Sequence, residues 1–202
     1  MITVVNYGVG NLFSLLCSFE AVGQTVCVTS DPDELKNAGR IVLPGVGAFG
    51  DAAKKLAQTG LGEALTAEAK KGKPILGVCL GMQLLFDESE EYGFHRGLGL
   101  LQGRVRAFAD VLPREYKIPQ IGWNALHFEK DSRLLDGLRE GDHVYFVHSF
   151  YADGCADSLI AATEYGIKVP AVVGKENVYG CQFHPEKSGA VGLAILGNFA
   201  KI

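Results

Sequence analysis

The first half of the chain alternates between short apolar runs and stretches with a helical spacing of apolar residues. The apolar runs predict buried strands at Met1–Asn6, Thr25–Thr29, Arg40–Leu43 and Pro74–Val78. Two intervening stretches, Asn11–Val22 and about Gly62–Lys71, predict helices. This alternation of strands and helices indicates a mostly parallel sheet with helices on both of its faces.

The pattern changes after about Gly103, where short strands follow one another with brief turns. The strands predicted there are Arg104–Phe108, Gln120–Leu126, His143–Tyr151, Leu159–Thr163, Ala171–Gly174 and Asn177–Phe183. We expect them to add antiparallel strands around the parallel core, and Gly189–Lys201 predicts a closing helix. The sequence therefore predicts an α/β protein with a central, mostly parallel sheet, flanking helices and added antiparallel strands. We expect residues 1–202 to form a single domain.

Composition narrows the class of protein further. Hydrophobic residues make up 48% of the chain and charged residues 21%, as in globular domains. A net charge of −4 without a basic cluster argues against a nucleic-acid partner. No apolar run approaches the roughly 18 residues of a membrane span, and the N-terminus enters a strand directly, so neither a membrane segment nor a signal peptide is expected.

Cysteine and histidine usage bears on location and on metals. The five cysteines form no CxxC pair, which favours a reducing, cytoplasmic location and no disulfide framework. The cysteines and histidines also lack the spacing of zinc ligands. We therefore expect neither a metal nor a cofactor.

Cys79 stands between the strand that ends at Val78 and a predicted helix over Met82–Glu91. Gly77 and Gly81 flank it in the small-x-nucleophile-x-small pattern of a nucleophile elbow. Glycine tolerates such a sharp turn, and the N-terminus of the following helix favours the reactive thiolate. Most lone cysteines are simply small buried side chains, so the elbow hypothesis depends on finding a base.

A base and a carboxylate follow the last predicted strand. His184 and Glu186 lie two residues apart, and Pro185 between them disfavours helix, so in an extended chain the two side chains point the same way. Glu186 then accepts from one ring nitrogen and leaves the other to take a thiol proton. Alone, this pair suits a solvated surface. With the Cys79 elbow, it predicts a site for amide cleavage by acyl transfer.

Two glycine-rich turns follow predicted strands. Gly8-Val9-Gly10-Asn11 lacks the third glycine of a dinucleotide-binding fingerprint, which has Phe13 in its place, so that function is not expected. Pro44–Gly50 lies at the carboxyl end of the sheet, where α/β sites assemble. It is either a flexible turn or a row of backbone N–H groups aimed at an oxyanion. The elbow favours the second interpretation, because a thioester-forming site needs a donor besides the N–H of Leu80.

Six segments, spread in order over the chain, resemble the class I (triad-type) glutamine amidotransferases, whose fold is flavodoxin-like. They are Asn6–Asn11, Pro44–Phe49, Gly77–Phe86, Ile121–Asn124, Tyr145–Tyr151 and Gln182–Ser188. A cysteine elbow together with His-Pro-Glu is specific for this class. Three motifs, Pro-Gly-Val-Gly, Gly-Trp-Asn and Phe-Val-His-Ser, are similar to those of the glutaminase subunits of a synthase in histidine biosynthesis.

The resemblance implies roles for the site residues. Cys79 is expected to attack the carboxamide of L-glutamine, His184 to move the proton, and Glu186 to orient His184. The oxyanion hole is expected to combine the N–H of Leu80 with one from Gly45, Val46 or Gly47. The pocket for the amino-acid end of glutamine is expected to contain Gly47, Gln83, Ser149 and Phe150, of which Phe150 stands where some relatives have tyrosine.

The resemblance also implies a partner. Subunits of this kind form a heterodimer with a (β/α)8-barrel cyclase and pass ammonia to it without release to bulk water. Asn11, Trp123 and Tyr145 are expected near the partner face, although core packing or helix capping would also explain them. The glycines around Val46 let that peptide rotate, which predicts a poor glutaminase until the partner binds. Two alternatives stay open: a paralogue that feeds another synthase, and a non-catalytic regulator on the same fold.

Overall fold

The computed structural model describes residues 1–202 and contains fourteen strands and five α-helices. The strands are β1 (Ile2–Val5), β2 (Val26–Thr29), β3 (Arg40–Leu43), β4 (Ile75–Val78), β5 (Phe86–Ser89), β6 (His95–Arg96), β7 (Leu101–Ala107), β8 (Gln120–Ala125), β9 (His127–Phe128), β10 (His143–His148), β11 (Phe150–Asp153), β12 (Leu159–Glu164), β13 (Lys168–Lys175) and β14 (Val178–Cys181). The helices are α1 (Leu12–Ala21), α2 (Phe49–Gln58), α3 (Leu61–Lys70), α4 (Leu80–Leu84) and α5 (Gly189–Phe199). None of the helices is long and apolar enough to cross a membrane.

Eight strands form the central sheet, in the order β2-β1-β3-β4-β14-β13-β12-β9. Neighbouring strands from β2 to β14 run parallel, and those from β14 to β9 run antiparallel. The predicted architecture of a mostly parallel sheet with antiparallel additions is therefore confirmed. β14 is the last strand of the chain, yet it lies inside the sheet between β4 and β13.

Apolar clusters on both faces attach the helices to this sheet. Because side chains alternate along a strand, Ile41 and Leu43 of β3 belong to one cluster and Val42 to the other. The first cluster includes the buried side chains of α2 and α3, and the second those of α1 and α5. Each fully buried leucine or phenylalanine contributes roughly 1.5–3 kcal/mol to the free energy of folding. This burial holds the helices on the sheet and so fixes which strand ends meet at the site.

Two smaller sheets lie beside the central one. β10 pairs with β8, and β11, β7, β5 and β6 form the other sheet. The predicted strand His143–Tyr151 is split at Ser149, because its two halves pair in different sheets. On β8 the side chains of Ile121 and Trp123 are exposed, whereas on β10 Val144 and Phe146 are buried. The small sheet of β8 and β10 therefore presents an apolar outer face.

The predicted helix over Met82–Glu91 is wrong beyond Leu84. α4 ends there, and the next residues form β5, whose Phe86 pairs with Leu101 of β7. Phe86 is fully buried, and its carbonyl packs so closely on Gly97 that a side chain at Gly97 would overlap it. Pairing with distant strands thus overrides the local helical spacing of apolar residues.

Helix α2 is not among the elements predicted from the sequence. It begins directly after the glycine-rich turn, and its buried residues Phe49, Ala52 and Leu56 follow a helical spacing. The remaining predicted strands are present, with their ends shifted by up to a few residues.

Candidate functional site

Cys79 lies at a sharp turn between β4 and α4. Its backbone has φ of 54° and ψ of −111°, a conformation that residues other than glycine rarely adopt. The surrounding chain enforces this turn: a Cβ at Gly77 would lie 2.6 Å from the carbonyl oxygen of Gly81, and one at Gly81 would overlap the carbonyl of Leu43. Glycine at both positions is therefore a steric requirement of the elbow. Strain of this kind is typical of functional sites.

His184 reaches Cys79 because β14 runs parallel to β4 and pairs Cys181 with Val78. The backbone N–H of Cys79 donates to the carbonyl of Cys181 over 2.8 Å, which fixes the two strand ends together. Nδ1 of His184 lies 2.8 Å from Oε1 of Glu186, and both side chains are buried. The pair forms at the start of a 3-10 turn, Pro185–Lys187, rather than in the extended chain that the sequence led us to expect.

The environment of His184 favours its charged form. Burial alone lowers the pKa of this imidazole, but hydrogen bonds to Cys79 and Glu186 and the charges of both groups outweigh burial and raise its pKa to about 10. The imidazole thus interacts with the thiol of Cys79, which contributes to the raised pKa, and is hydrogen-bonded to the carboxylate of Glu186. Cys79, His184 and Glu186 form one contiguous chain of groups.

A cavity of about 370 Å³ opens onto Cys79. The residues that the sequence assigned to the substrate pocket all line it: Gly47, Gln83, Ser149 and Phe150. The amide nitrogen of Gln83 donates to the carbonyl of Phe150 over 2.9 Å and to Oε1 of Gln182 over 3.0 Å. These two bonds hold the Gln83 side chain in place between α4 and β11.

Free backbone donors lie beside Cys79. The N–H groups of Val46, Gly47 and Leu80 donate no hydrogen bond within the protein. The two segments are in contact, since a Cβ at Gly45 would lie 3.0 Å from the backbone nitrogen of Gly81. Gly47 has a φ of +98°, which suits glycine, whereas Gly45 lies outside the left-handed region. The glycine-rich turn is thus a source of donors next to the thiol.

Glu91 is a pocket residue that the sequence reasoning missed. It is the only acidic side chain that lines the cavity. Its Oε2 accepts the backbone N–H of Phe49, at the N-terminus of α2, over 2.7 Å. Burial raises the pKa of this carboxyl, and the Phe49 hydrogen bond opposes the shift. Glu91 follows a run of other acidic residues, so its position in the sequence does not distinguish it.

His148 is a second missed residue of the cavity. Its Nδ1 lies 2.8 Å from the carbonyl of Phe150, which can only accept, so Nδ1 carries the proton. Its Nε2 is buried without a protein partner. Burial lowers the pKa of this imidazole to about 4, with a further contribution from the charge of His184, so the ring is neutral at pH 7. The alternation of buried residues along β10 is the signal that places His148 inward.

The residues expected at a partner face occupy two places. Trp123 and Tyr145 pack edge to face with ring centroids 6.0 Å apart, and Trp123 remains 52% exposed. Asn11 caps α1 through its side chain, which bonds with Ser14, and it also lines the cavity. Asn11 thus caps a helix, which the sequence analysis had offered as an alternative to a place at the partner face. Trp123 belongs to an exposed apolar surface.

The fold and the site together are those expected of a cysteine-dependent amide-cleaving enzyme on a mostly parallel α/β sheet. The profile of the family "glutamine amidotransferase class-I" matches residues 3–202. The imidazole glycerol phosphate synthase subunit HisH of Geobacillus thermodenitrificans is 51% identical over 205 aligned residues, covering 100% of this chain and 96% of that protein. The subunit of the same name from Bacillus subtilis is 50% identical over 205 residues, with coverage of 100% and 96%.

A solved structure described as a glutamine amidotransferase shares the fold. Its TM-score is 0.77 and its sequence identity 18%, over 100% of both chains. The chain therefore belongs to the class-I glutamine amidotransferase family, and within that family it groups with the HisH subunits. It is accordingly an enzyme that hydrolyses glutamine.

Proposed function

We propose that this chain is the glutaminase subunit of an imidazole glycerol phosphate synthase and that Cys79 is its nucleophile. The observation that carries the catalytic assignment is the meeting of Cys79 and His184 in the lining of one cavity, with His184 hydrogen-bonded to Glu186 and free backbone donors beside the thiol. The names of the relatives, at about half identity over the whole chain, support the choice of synthase.

The reaction begins at the thiol. His184 takes the thiol proton before the attack, and Cys79 then attacks the carboxamide carbon of glutamine. The developing oxyanion is held by the N–H of Leu80 and by one N–H of the turn that contains Val46 and Gly47. His184 then gives the proton to the departing ammonia, which leaves a γ-glutamyl thioester. Water, deprotonated by His184, hydrolyses the thioester and releases glutamate.

Burial makes Glu186 effective in this sequence. Its side chain accepts from Nδ1 of His184, which leaves Nε2 to exchange the proton with the thiol and the leaving group. A buried carboxylate also stabilises the imidazolium that forms during each proton transfer. Glu186 therefore orients the base and does not itself carry the proton.

The cavity offers groups for the amino-acid end of glutamine. Glu91 supplies the carboxylate that an α-ammonium group requires, and its position is fixed by the N–H of Phe49. Gly47, Ser149 and Phe150 border the same space, and Gln83 is held across it. We expect this arrangement to favour an amino acid whose side-chain amide reaches Cys79 while its ammonium group meets Glu91.

The ammonia is used by a partner. We infer a (β/α)8-barrel cyclase that docks over both places, the surface bearing Trp123 and Tyr145 and the part of the cavity lined by Asn11, and receives ammonia without its release to bulk water. There ammonia reacts with a phosphoribulosyl-formimino carboxamide ribotide, giving imidazole glycerol phosphate and an aminoimidazole carboxamide ribotide. The exposed apolar side chains of Ile121 and Trp123 support a docking role for this face.

The test uses Cys79→Ala in the complex with a candidate cyclase. We expect glutamine-dependent product formation to fall by at least about 10³-fold, since a catalytic unit without its nucleophile is nearly inactive. Ammonium salt should restore product formation, because the cyclase carries out the ring chemistry. Cys17→Ala, at an exposed cysteine, is the control and should keep full activity.

The nucleophile and the choice of synthase would be contradicted by different results of this test. Appreciable glutaminase activity in Cys79→Ala would disprove the nucleophile assignment. Failure of the wild-type chain to supply the cyclase, together with supply of ammonia to another synthase, would identify it as a paralogue with a different acceptor.

A further inference from the structure

We propose that Tyr7 is a positioning residue that anchors the oxyanion segment, defined as Pro44–Gly47, through its buried hydroxyl group. The inference rests on the proposed function, because it assigns Tyr7 a role in holding the donors of that segment. It adds a residue that follows another strand, β1, and does not line the substrate cavity.

The contact joins the ends of two neighbouring strands. Tyr7 follows β1, and the oxyanion segment follows β3, which pairs with β1 in the central sheet. The Tyr7 side chain is only 5% exposed, and its hydroxyl donates to the carbonyl oxygen of Pro44 over 2.8 Å. This bond satisfies a buried carbonyl and fixes the orientation of the peptide that joins Pro44 to Gly45.

The hydroxyl also limits where Gly45 can lie. A Cβ at Gly45 would be 2.7 Å from the Tyr7 oxygen and 3.0 Å from the backbone nitrogen of Gly81. Gly45 is therefore confined between the Tyr7 hydroxyl and the elbow. The pyrrolidine ring of Pro44 also restricts the φ angle of Pro44 itself. The start of the oxyanion segment is therefore held by the Tyr7 hydroxyl, by the elbow and by the proline ring.

The other end of the oxyanion segment, Val46 and Gly47, has fewer close neighbours than the Pro44 end. Val46 is 43% exposed, and a Cβ at Gly47 would have no neighbour within 4 Å. Rotation of the peptides at this end is thus possible, whereas the Pro44 end is fixed. In the proposed mechanism, the Tyr7 contact therefore fixes the start of the segment from which one N–H, of Val46 or Gly47, reaches the oxyanion.

The hydroxyl keeps its proton throughout the reaction. Burial, together with the nearby charge of Cys79, raises the pKa of Tyr7 far above its ordinary value. Tyr7 therefore acts only as a donor to Pro44, and the geometry gives it no part in proton transfer.

The first experiment compares Tyr7→Phe with Tyr165→Phe in the full-length chain. Tyr165 makes a matched bond, from its hydroxyl to the carbonyl of Lys117 over 2.7 Å, but does not line the cavity. We expect Tyr7→Phe to lower kcat for glutamine hydrolysis by about 10–100-fold, with KM within twofold, because oxyanion donors act in the transition state. Tyr165→Phe should leave both constants near those of the parent chain.

Alkylation of Cys79 by iodoacetamide separates positioning from general loosening of the site. Alkylation needs the thiolate but no oxyanion hole, so its rate at Cys79, followed on the Cys79 peptide by mass spectrometry, should be unchanged in Tyr7→Phe. An unchanged kcat, or equal losses in hydrolysis and alkylation, would overturn the proposal.

A double-mutant cycle tests the contact between the Tyr7 hydroxyl and Gly45 independently. Gly45→Ala places a methyl group against the Tyr7 hydroxyl, and removing that hydroxyl relieves the closest contact. We expect the loss of kcat caused by Gly45→Ala to be severalfold smaller in the Tyr7→Phe background than in the parent. Strict additivity would contradict the contact.

The proposed function itself fails by a different measurement. Retention of glutaminase activity in Cys79→Ala, with Tyr7 intact, would remove the nucleophile assignment. The results with Tyr7→Phe do not enter that comparison.

Discussion

At the scale of single residues, the site depends on three ionisable groups that are buried together. The Glu186 side chain is 4% exposed and that of His184 5% exposed, so the ion pair between them is little screened by water. Removing one member of such a buried pair leaves the other charge uncompensated, which costs more than the pair contributes. The members should therefore act as a unit.

The first prediction concerns the base and its orienting carboxylate. His184→Ala should lower glutamine turnover by several orders of magnitude, nearly as much as Cys79→Ala, and the double variant should be no worse than either. Glu186→Gln should retain at least tenfold more activity than His184→Ala, because the base remains. Steady-state kinetics of the four variants and the wild type provide the measurement, and additive losses would contradict a single catalytic unit.

The second prediction is about pH and His148. Its pKa of about 4 in the native protein lies below the roughly 6.5 of an unfolded histidine, so the unfolded chain takes up the proton first as the pH falls. The stabilisation from a neutral His148 is full above about pH 6.5 and is lost between pH 6.5 and pH 4. It amounts to at most about 3 kcal/mol.

Urea unfolding at pH 7 and pH 4 measures this effect. In His148→Gln the free energy of unfolding should change less between the two pH values than in the wild type. His143→Gln, at an exposed histidine of the same strand, is the matched control and should keep the full pH dependence. An equal pH dependence in His148→Gln and the wild type would contradict a buried neutral imidazole.

Site residues could be predicted from the sequence when the residues that define their pattern lie close to them in the chain. Cys79 has its glycines two residues away on either side, and His184 has its carboxylate two residues ahead, so both patterns are visible in the sequence. Glu91 and His148 acquire their surroundings only when β5 and β10 pair with distant strands. Their assignments therefore required the fold. The roles of all these residues stay predictions until they are measured.

At the scale of elements, the elbow is a tightly packed junction of β3, β4 and α4. A side chain at Gly81 would overlap the carbonyl of Leu43, and Cys79 is held at a positive φ. The backbone at this junction cannot shift to make room for a side chain, because neighbouring strands hold its atoms in place. Packing density of this kind turns a single methyl group into a large perturbation.

The third prediction contrasts two glycines in helices. Gly81→Ala should lower the free energy of unfolding by more than about 3 kcal/mol or prevent folding, since the methyl group overlaps fixed backbone. Gly197→Ala in α5 should raise it by about 0.5–1 kcal/mol, because its methyl group meets only Val22 at 3.9 Å and alanine favours helix. Thermal or urea unfolding measures both. A neutral Gly81→Ala would show that the elbow is looser than described.

The elements that sequence reasoning missed have physical causes. The segment after Leu84 has helical spacing, but strand pairing of Phe86–Ser89 with β7 wins because it completes a buried sheet. α2 has apolar residues at a helical spacing, but it directly follows a glycine-rich turn, and the sequence analysis predicted no helix after that turn. The parallel strands were predictable because continuous apolar runs have no stable exposed alternative.

At the scale of the whole molecule, the cavity and the apolar face of β8 point to control by a partner. Val46 and Gly47 have room to move, and they border the cavity. A partner that favours the orientation with an N–H towards the oxyanion would raise the fraction of competent molecules. Such a change acts on turnover rather than on glutamine binding.

The fourth prediction follows from this arrangement. The isolated chain should hydrolyse glutamine slowly, and a barrel cyclase with its ribotide should raise kcat by about 10²–10³-fold, the usual contribution of one oxyanion donor. Glutaminase assays with each component alone and in combination measure this. Full activity of the isolated chain, unaffected by partner and ribotide, would contradict the mechanism while leaving the triad intact.

A variant of the partner face gives this prediction a spatial control. Trp123→Ala should weaken binding of the cyclase by at least about tenfold, since a half-exposed tryptophan on an apolar face is typical of an interface hot spot. Val28→Ala, at an exposed residue of the edge strand β2, should leave the affinity unchanged. Equal effects of the two substitutions would place the interface elsewhere.

The position of β14 has a consequence for when the enzyme becomes active during its synthesis. The other strands of the central sheet form two separate groups, β2-β1-β3-β4 and β13-β12-β9, and β14 is the strand that joins them. The ribosome makes β14 after every other strand, and His184 and Glu186 emerge still later. If His184 is the base, a growing chain carries Cys79 without it for most of its synthesis. We therefore expect glutamine hydrolysis to begin only once β14 has joined the two groups.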